Sequence, residues 1–329
     1  MRRRAFLTLL GGAAAGWPLA ARAQKPDVPV VGFLRPGPPE AAASMLAAFR
    51  KGLSETGFVE GRNLAIEFRW RDAHNQLSEL AADLIRRKVD VIATPGSSLG
   101  ALAAKALTTT IPIVFSTSGD PVKLGLVTNL NRPGGNVTGY TDMSSEIVPK
   151  QLGLLHELLP RATRFGVLMA RGYPYFDRVT ADAKSAAAVF GGQVDIPVIE
   201  RERIDRDLDA AFVELVQRRI EAFVIPDDAW LFGRQAQILT LAARHSIPAI
   251  YFSRDWAAAG GLMSYGPPAT DQGRQAGIYT GRILKGEKPS DLPVGRAIRF
   301  EFTISLATAR AIGVEVPPTL LSIADEVIE

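Results

Sequence analysis

The residues able to do chemistry sit where apolar runs stop. Ile113 to Phe115 reads as a short buried strand, and it ends in Ser116, Thr117, Ser118, Gly119 and Asp120. Small hydroxyls and a carboxylate at a strand end suit an amino-acid-like solute. Hydroxyls and backbone N–H groups would take its carboxylate, and Asp120 its ammonium. Asp120 equally suits the cap of a turn that Pro121 rigidifies. A second such place is Gly96-Ser97-Ser98-Leu99-Gly100, between a strand and a helix. It matches the G-x-S-x-G nucleophile elbow, and Asp227 or Asp228 followed by His245 supplies a serine-hydrolase order. No His-Gly-Gly oxyanion motif precedes it, and Pro95 fits that turn poorly. A helix N-terminus whose N–H groups and Ser97 and Ser98 hydroxyls meet an anionic ligand group is the better reading.

Further along, Arg171, Tyr173 and Tyr175 follow one strand, and Asp227, Asp228 and Trp230 follow another. Aromatic faces beside carboxylates suit an organic solute carrying a cation or a ring. Surface stacking of Tyr175 and core packing of Trp230 are the structural alternatives. Trp256 and Tyr265 lie near an expected return crossing, on the hinge side of a cleft, and Trp70 reads as packing. His156-Glu157 begins like H-E-x-x-H, but Pro160 stands where the second histidine would. With three His and no Cys, no metal and no cofactor are expected. Gly134-Gly135 and Gly191-Gly192 lack the spacing and lysine of a phosphate loop. No catalytic residue is assigned, and an enzyme is not expected.

These groups need a scaffold that delivers strand ends to one edge. Strands are expected at 28–34, 63–70, 89–93 and 113–115, with helices at 40–56 and 76–87 between them. Leu126 to Tyr140 breaks the rhythm, and its second half, Asn129 to Tyr140, is turn-rich with no helical period. After a helix at 149–159 the alternation resumes, with strands at 164–169, 192–198, 222–225 and 248–251 and helices at 176–189, 204–218 and 230–245. The remainder reads as strand 262–265, helix 271–284, strand 297–302 and helix 304–312. The fold class is therefore α/β, with two similar doubly wound parallel-sheet lobes joined by a multi-crossover hinge. The expected division is 28–140 with 252–290, and 141–251 with 291–329.

Composition adds constraints. The chain has 38 Lys and Arg against 34 Asp and Glu. It opens with Met1-Arg-Arg-Arg, an apolar stretch to Ala21 and an A-x-A site at Ala21-Arg22-Ala23, the layout of a cleaved export signal. Arg3-Arg4-Ala5-Phe6-Leu7 also matches the twin-arginine pattern, an ordinary secretory signal being the alternative. Removing residues 1–23 removes Arg2, Arg3, Arg4 and Arg22 and no acid, leaving 34 against 34. A neutral mature chain gives no reason to expect nucleic acid or an anionic membrane surface as partner. Without cysteine there are no disulfides and no lipid-bearing cysteine, so no direct membrane anchor is expected.

Three stretches carry a family likeness: the leader Arg3-Arg4-Ala-Phe-Leu through Trp17-Pro to Gln24; Gly119-Asp-Pro-Val-Lys-Leu-Gly through Asn131-Arg-Pro-Gly-Gly-Asn-Val-Thr-Gly139; and Phe300-Glu-Phe-Thr-Ile-Ser with Pro317-Pro-Thr-Leu-Leu and Ala324-Asp-Glu-Val-Ile-Glu329. Together they resemble the tryptophan-binding-like ABC-transporter substrate-binding proteins, over essentially the whole chain. The resemblance implies a type I periplasmic-binding fold that closes on a small-molecule ligand and hands it to an ABC permease in the inner membrane, the protein itself a periplasmic monomer. A sensor module reporting occupancy to a signalling partner would use the same fold. Two loops depart from the family pattern: Arg35-Pro36-Gly37-Pro38 after the first strand, and Ala170-Arg171-Gly172-Tyr173-Pro174 after the first strand of the second lobe. Both are expected to face the cleft. The ligand-contact candidates are therefore Arg35, Gly96, Ser97, Ser98, Ser116, Thr117, Asp120, Arg171, Tyr173, Asp227, Asp228 and Tyr265.

Overall fold

The computed structural model describes residues 28–37, 39–71, 76–200, 203–297 and 299–329. The expected leader, with its cleavage site, and Pro38 lie outside the described residues. The chain first runs β1 (Val30–Pro36), α1 (Ala43–Glu55), β2 (Ala65–Arg71), α2 (Leu77–Arg86), β3 (Val91–Thr94), α3 (Ser98–Leu107), β4 (Ile113–Thr117) and β5 (Val137–Thr141). It crosses over into α4 (Val148–Leu158), β6 (Arg164–Val167), β7 (Met169–Ala170), α5 (Phe176–Val189), β8 (Gln193–Asp195), β9 (Val198–Ile199), α6 (Ile204–Gln217) and β10 (Ala222–Ile225). Then come α7 (Ala229–Phe232), α8 (Gln235–His245), β11 (Ala249–Tyr251), α9 (Arg254–Ala258) and β12 (Met263–Gly266). The last elements are α10 (Ala269–Leu284), β13 (Gly295–Arg296), β14 (Glu301–Ser305), α11 (Leu306–Ile312), α12 (Pro318–Ile323) and β15 (Glu326–Ile328).

The strands form a six-stranded sheet, β13-β5-β4-β3-β1-β2, and a seven-stranded sheet, β15-β14-β12-β11-β10-β6-β8. All ladders are parallel except β12 with β14. β7 and β9 form a separate parallel pair. Within each sheet the first strand has the second on one side and the third on the other. In open α/β sheets, ligands gather at this point of reversal, beyond the carboxyl ends of the strands. Here the reversals fall between β1 and β3 and between β6 and β10.

Side chains alternate along each strand and build a core on both faces of each sheet. Leu34, Ile92, Ile113 and Phe115 pack with α2 and α3, whereas Val31, Phe33, Val91 and Val114 pack with α1 and α10. In the second sheet Phe165, Val167 and Val224 lie against α4 and α5, and Phe223, Ile225 and Tyr251 against α6 and α8. Helices α1 and α10 touch backbone to backbone. A Cβ on Gly52 would stand 2.0 Å from the Arg274 carbonyl oxygen, and one on Gly277 2.2 Å from that of Phe49. That contact fixes the start of α10 beside the end of β1.

Several expectations change. Val137–Thr141, read as turn, is a fully buried strand beside β4. Its Gly139 disguises it, yet a Cβ there would sit 2.0 Å from the Phe115 carbonyl oxygen, so the ladder requires glycine. The expected strand 192–198 divides into β8 and β9 around Pro197, which has no N–H to give a ladder. The expected lobe division also shifts. Residues 263–266, placed with the first lobe, pair with β11 and β14 in the second sheet. Residues 295–296, placed with the second lobe, pair with β5 in the first. The chain thus passes between the sheets after β5, after β12 and after β13.

Candidate functional site

On the first sheet the edge is built from hydroxyls that hold one another. Ser97 caps α3, its Oγ accepting from Gly100 N at 3.0 Å. Ser116 Oγ accepts from Gly96 N at 2.8 Å and donates to Gln272 Oε1 at 3.2 Å, tying β4, the β3 loop and α10 together. Ser98 Oγ and Thr117 Oγ1 bond each other and face outward. Arg35 closes this edge at the end of β1. Only 5% exposed, it gives Nη1 to Met45 Sδ at 3.0 Å, and its Nε has no partner among the described residues. A thioether is a weak acceptor for a guanidinium.

The opposing edge presents aromatic rings and carboxylates. Tyr175 reaches across to the first sheet, its hydroxyl 2.6 Å from Thr117 Oγ1 and 2.9 Å from Ser98 Oγ. Tyr173 stands edge-on to it with ring centres 5.3 Å apart. Gly119 makes room for this crossing, since a Cβ there would fall 2.2 Å from Tyr175 Cε1. Asp227, after β10, accepts from Gln272 Nε2 and from Ser144 Oγ, both at 3.3 Å. Asp142, at the first crossing between the sheets, accepts from Ser144 N at 2.9 Å and from Gln272 Nε2. The intervening Met143 adopts φ 56°, a conformation that side chains other than glycine seldom take. Between the edges lies a cavity of about 20 Å³ lined by Arg35, Met45, Asp142, Asp227, Phe252 and Gln272 among others. A second, of about 40 Å³, lies between Ser98 and Tyr173 and shares Asp227. Each has room for a water or two, so a larger guest requires the edges to part.

Electrostatics separates the two edges. Burial and the neighbouring Asp142 charge push the Asp227 carboxyl up, against a smaller opposing pull from Arg35. Burial also pushes Asp142 up, in spite of its Ser144 and Gln272 hydrogen bonds. Arg35 is lowered to about 10 by burial, which leaves it cationic at neutral pH. Burial raises both Tyr173 and Tyr175, so their phenols stay protonated. The site thus sets one cation and a row of hydroxyls beside two carboxylates, Asp142 on the first sheet's side and Asp227 on the second's, that resist ionising together.

Of the sequence candidates, the structure brings together Arg35, Gly96, Ser97, Ser98, Ser116, Thr117, Tyr173 and Asp227. Others fall elsewhere. Arg171 is exposed and paired with Glu200 at 2.7 Å, because the turn after β7 directs it outward. Tyr265 packs on Phe300 and Phe302, away from the cleft. Trp256, expected near the hinge, is buried in the second-lobe core and stacked on Tyr251 at 4.7 Å. Trp230 packs in that core and also lines the second cavity. Asp228 lines the second cavity beside Asp227, and it also accepts from Ala170 N at 3.0 Å and Trp230 N at 2.9 Å, holding the edge in shape. Asp120 performs its capping alternative, accepting from Val122 N at 2.9 Å and Lys123 N at 3.3 Å. It lines an outer cavity of about 280 Å³ with Arg178, on the far side of Tyr173 and Tyr175, which also line the second cleft cavity. The hydrolase arrangement does not form: Ser98 bonds Thr117 and Tyr175, while His245 stacks on Phe212 and lines a hollow beside Pro248, at the far end of the second sheet. Among the described residues no group of three potential metal ligands occurs, and no helix is long and apolar enough to cross a membrane.

Sequence reasoning missed Asp142 and Gln272. Asp142 stood just past a stretch read as turn, and Gln272 at the start of an ordinary amphipathic helix. A carboxylate at a strand end, at Thr141-Asp142, would have marked the former had the strand been recognised.

Comparison with known proteins places this geometry. Residues 39–328 match the profile of a family described as ABC transporter substrate binding protein. A tyrosine-binding protein of Clostridioides difficile is 27% identical over 276 residues, covering 81% of this chain and 76% of that one. A Streptococcus pneumonia ABC domain in complex with L-Trp superposes with a TM-score of 0.79 at 22% identity, covering 91% of this chain and 100% of the other. The ligand-free, open structure of a Clostridium difficile substrate binding protein with adhesive properties, 26% identical, gives 0.64 over 92% of this chain and 99% of the other. The architecture is the type I periplasmic-binding fold shared with these structures.

Proposed function

From the premise that this chain belongs to the family of ABC transporter substrate-binding proteins, we propose that it is the extracytoplasmic solute-binding component of an importer for an aromatic or similar amino acid. The observation that carries the reading is the polarity of the two facing edges. Arg35 and the Ser98 end of α3 are donors for a carboxylate, Asp142 and Asp227 are acceptors for an ammonium, and Tyr173 and Tyr175 line the cavity between Ser98 and Asp227. The tyrosine and tryptophan named for the relatives have those same three parts.

The mechanism needs no covalent step. The solute enters between parted edges and bridges them, so the closed form gains contacts that the open form lacks and becomes dominant. Hydrogen bonds from Tyr175 to Ser98 and Thr117 make the closed form self-consistent. The chain also superposes better on the L-Trp complex than on the ligand-free, open relative, although the latter is nearer in sequence. In this reading residues 1–23 direct export, by the twin-arginine route if the Arg3-Arg4 pair is used, and the closed monomer docks on a membrane permease.

A thermal-shift screen of the purified chain tests this. L-tyrosine, L-tryptophan or a related amino acid at about a hundred times its Kd is expected to stabilise the protein by about 2.7 kcal/mol. If only sugars or inorganic ions raise the melting temperature, the assignment to amino acids is wrong.

A further inference from the structure

Two carboxylates from opposite sides of the closed cleft share one amide. Gln272 Nε2 donates to Asp142 and to Asp227, and Ser144 bonds both, through its N–H to Asp142 and its hydroxyl to Asp227. Among the described residues one cation faces them: Arg35, whose sole acceptor there is the Met45 sulfur. Two negative charges and one positive in so buried a space leave the closed cleft one positive charge short.

We propose that the closed cleft holds this missing charge in either of two exchangeable forms: a proton shared by Asp142 and Asp227 when no solute is bound, and the ammonium of an amino acid when it is. Capture of the solute then expels a proton to water, and no bond of the solute changes. The proton half of this inference stands on the cleft alone, whereas the ammonium half rests on the proposed function.

The surroundings fit. Besides Arg35 on β1, the groups facing the pair are Tyr140 on β5 and Tyr173 and Tyr175 on the opposing edge, while the nearby carboxylates Asp228 and Asp271 act on Tyr173 and Tyr140. Burial raises the three phenols, so they supply no charge at neutral pH. Asp228 is committed to the backbone of its own lobe, and none of these neighbours is a histidine. Both members of the carboxylate pair are raised, chiefly by burial, Asp227 to about 7.

The sign follows from linkage. Parting the edges returns the carboxyls towards the usual aspartate value of about 4, so the closed form binds the shared proton more tightly. The proton's support for closure is complete below about pH 4 and is lost as pH rises through the raised value. A proton also competes with an ammonium, so affinity for an amino acid falls as pH falls through that window.

Small-angle X-ray scattering of the solute-free chain is the direct test. The expected result is a compact particle at about pH 5 and a more extended one at about pH 8, with the closed-to-open ratio changing tenfold or more. Asp227→Asn or Asp142→Asn, which needs no shared proton, is expected to abolish the dependence. Calorimetry with L-tryptophan at about pH 6, in two buffers of different ionisation enthalpy, is expected to show up to about one proton released per solute. The desamino analogue 3-(indol-3-yl)propionate is expected to release none. Dimensions indifferent to pH, together with L-tryptophan binding that releases no proton, would overturn the inference and leave solute capture standing. If pH-dependent closure appears but no amino acid binds, the amino-acid reading fails and the shared proton survives.

Discussion

The two edges of the cleft are built on the same strand order yet do opposite work. The first is a lattice of bonded hydroxyls in which, among the described residues, Arg35 Nε and Thr94 Oγ1 at the end of β3 are left without a partner. The second is held by Asp228, which takes two backbone N–H groups, and it offers Asp227 and the Tyr173–Tyr175 pair outward. Duplicating a topology sets where a site forms, and the residues at each point of reversal set what charge it wants. A cation and hydroxyls set beside two carboxylates suit a guest that carries both charges.

The comparison breaks most severely where an edge loses its frame. Asp228→Ala leaves the Ala170 and Trp230 N–H groups without this acceptor in a buried place, at an expected cost of about 2–4 kcal/mol. Chemical denaturation reads that cost, and an unchanged midpoint would mean that Asp228 does not hold the edge. Gly119→Ala is expected to spare the fold and spoil the meeting of the edges, because its methyl points into Tyr175. Scattering should report a more open particle, and solute affinity should fall by about tenfold or more. Tyr175→Phe keeps the ring and removes the bonds to Ser98 and Thr117, weakening closure by about 1 kcal/mol, or roughly fivefold in affinity. Asp120→Ala sharpens the boundary of the site. It removes a turn cap, for about 0.5–1 kcal/mol of stability, and should leave affinity unaltered by calorimetry. A large loss of affinity would return Asp120 to the binding machinery.

Much of this plan was legible in the linear chain. The abrupt change from Ile113-Val-Phe to Ser-Thr-Ser marked a strand end, and Gly96-Ser97-Ser98 marked a helix start, since both signals are local. Asp228 and Asp227 are adjacent and chemically alike, so nothing in their spacing assigned one to the backbone and the other to the cleft. Arg171 and Arg35 read alike in the sequence, as following the first strand of each lobe, yet one meets Glu200 in solvent and the other the Met45 sulfur at a buried strand end. The five residues of β5 were hidden because Gly139 answers a close approach by Phe115, a neighbour 24 residues away.

From its own pattern the chain determined an α/β architecture with two like-ordered halves, because hydrophobic periodicity and turn residues act over a few positions. Tertiary structure alone decided which polar groups share a charge. Gln272 meets Ser116 and Asp142 across 156 and 130 residues, and Tyr175 meets Ser98 across 77. Burial, which shifts the carboxyls, exists only once both sheets have closed around them. Periodicity records what a segment buries, whereas the charge a cleft lacks is a sum over segments that meet only when folded.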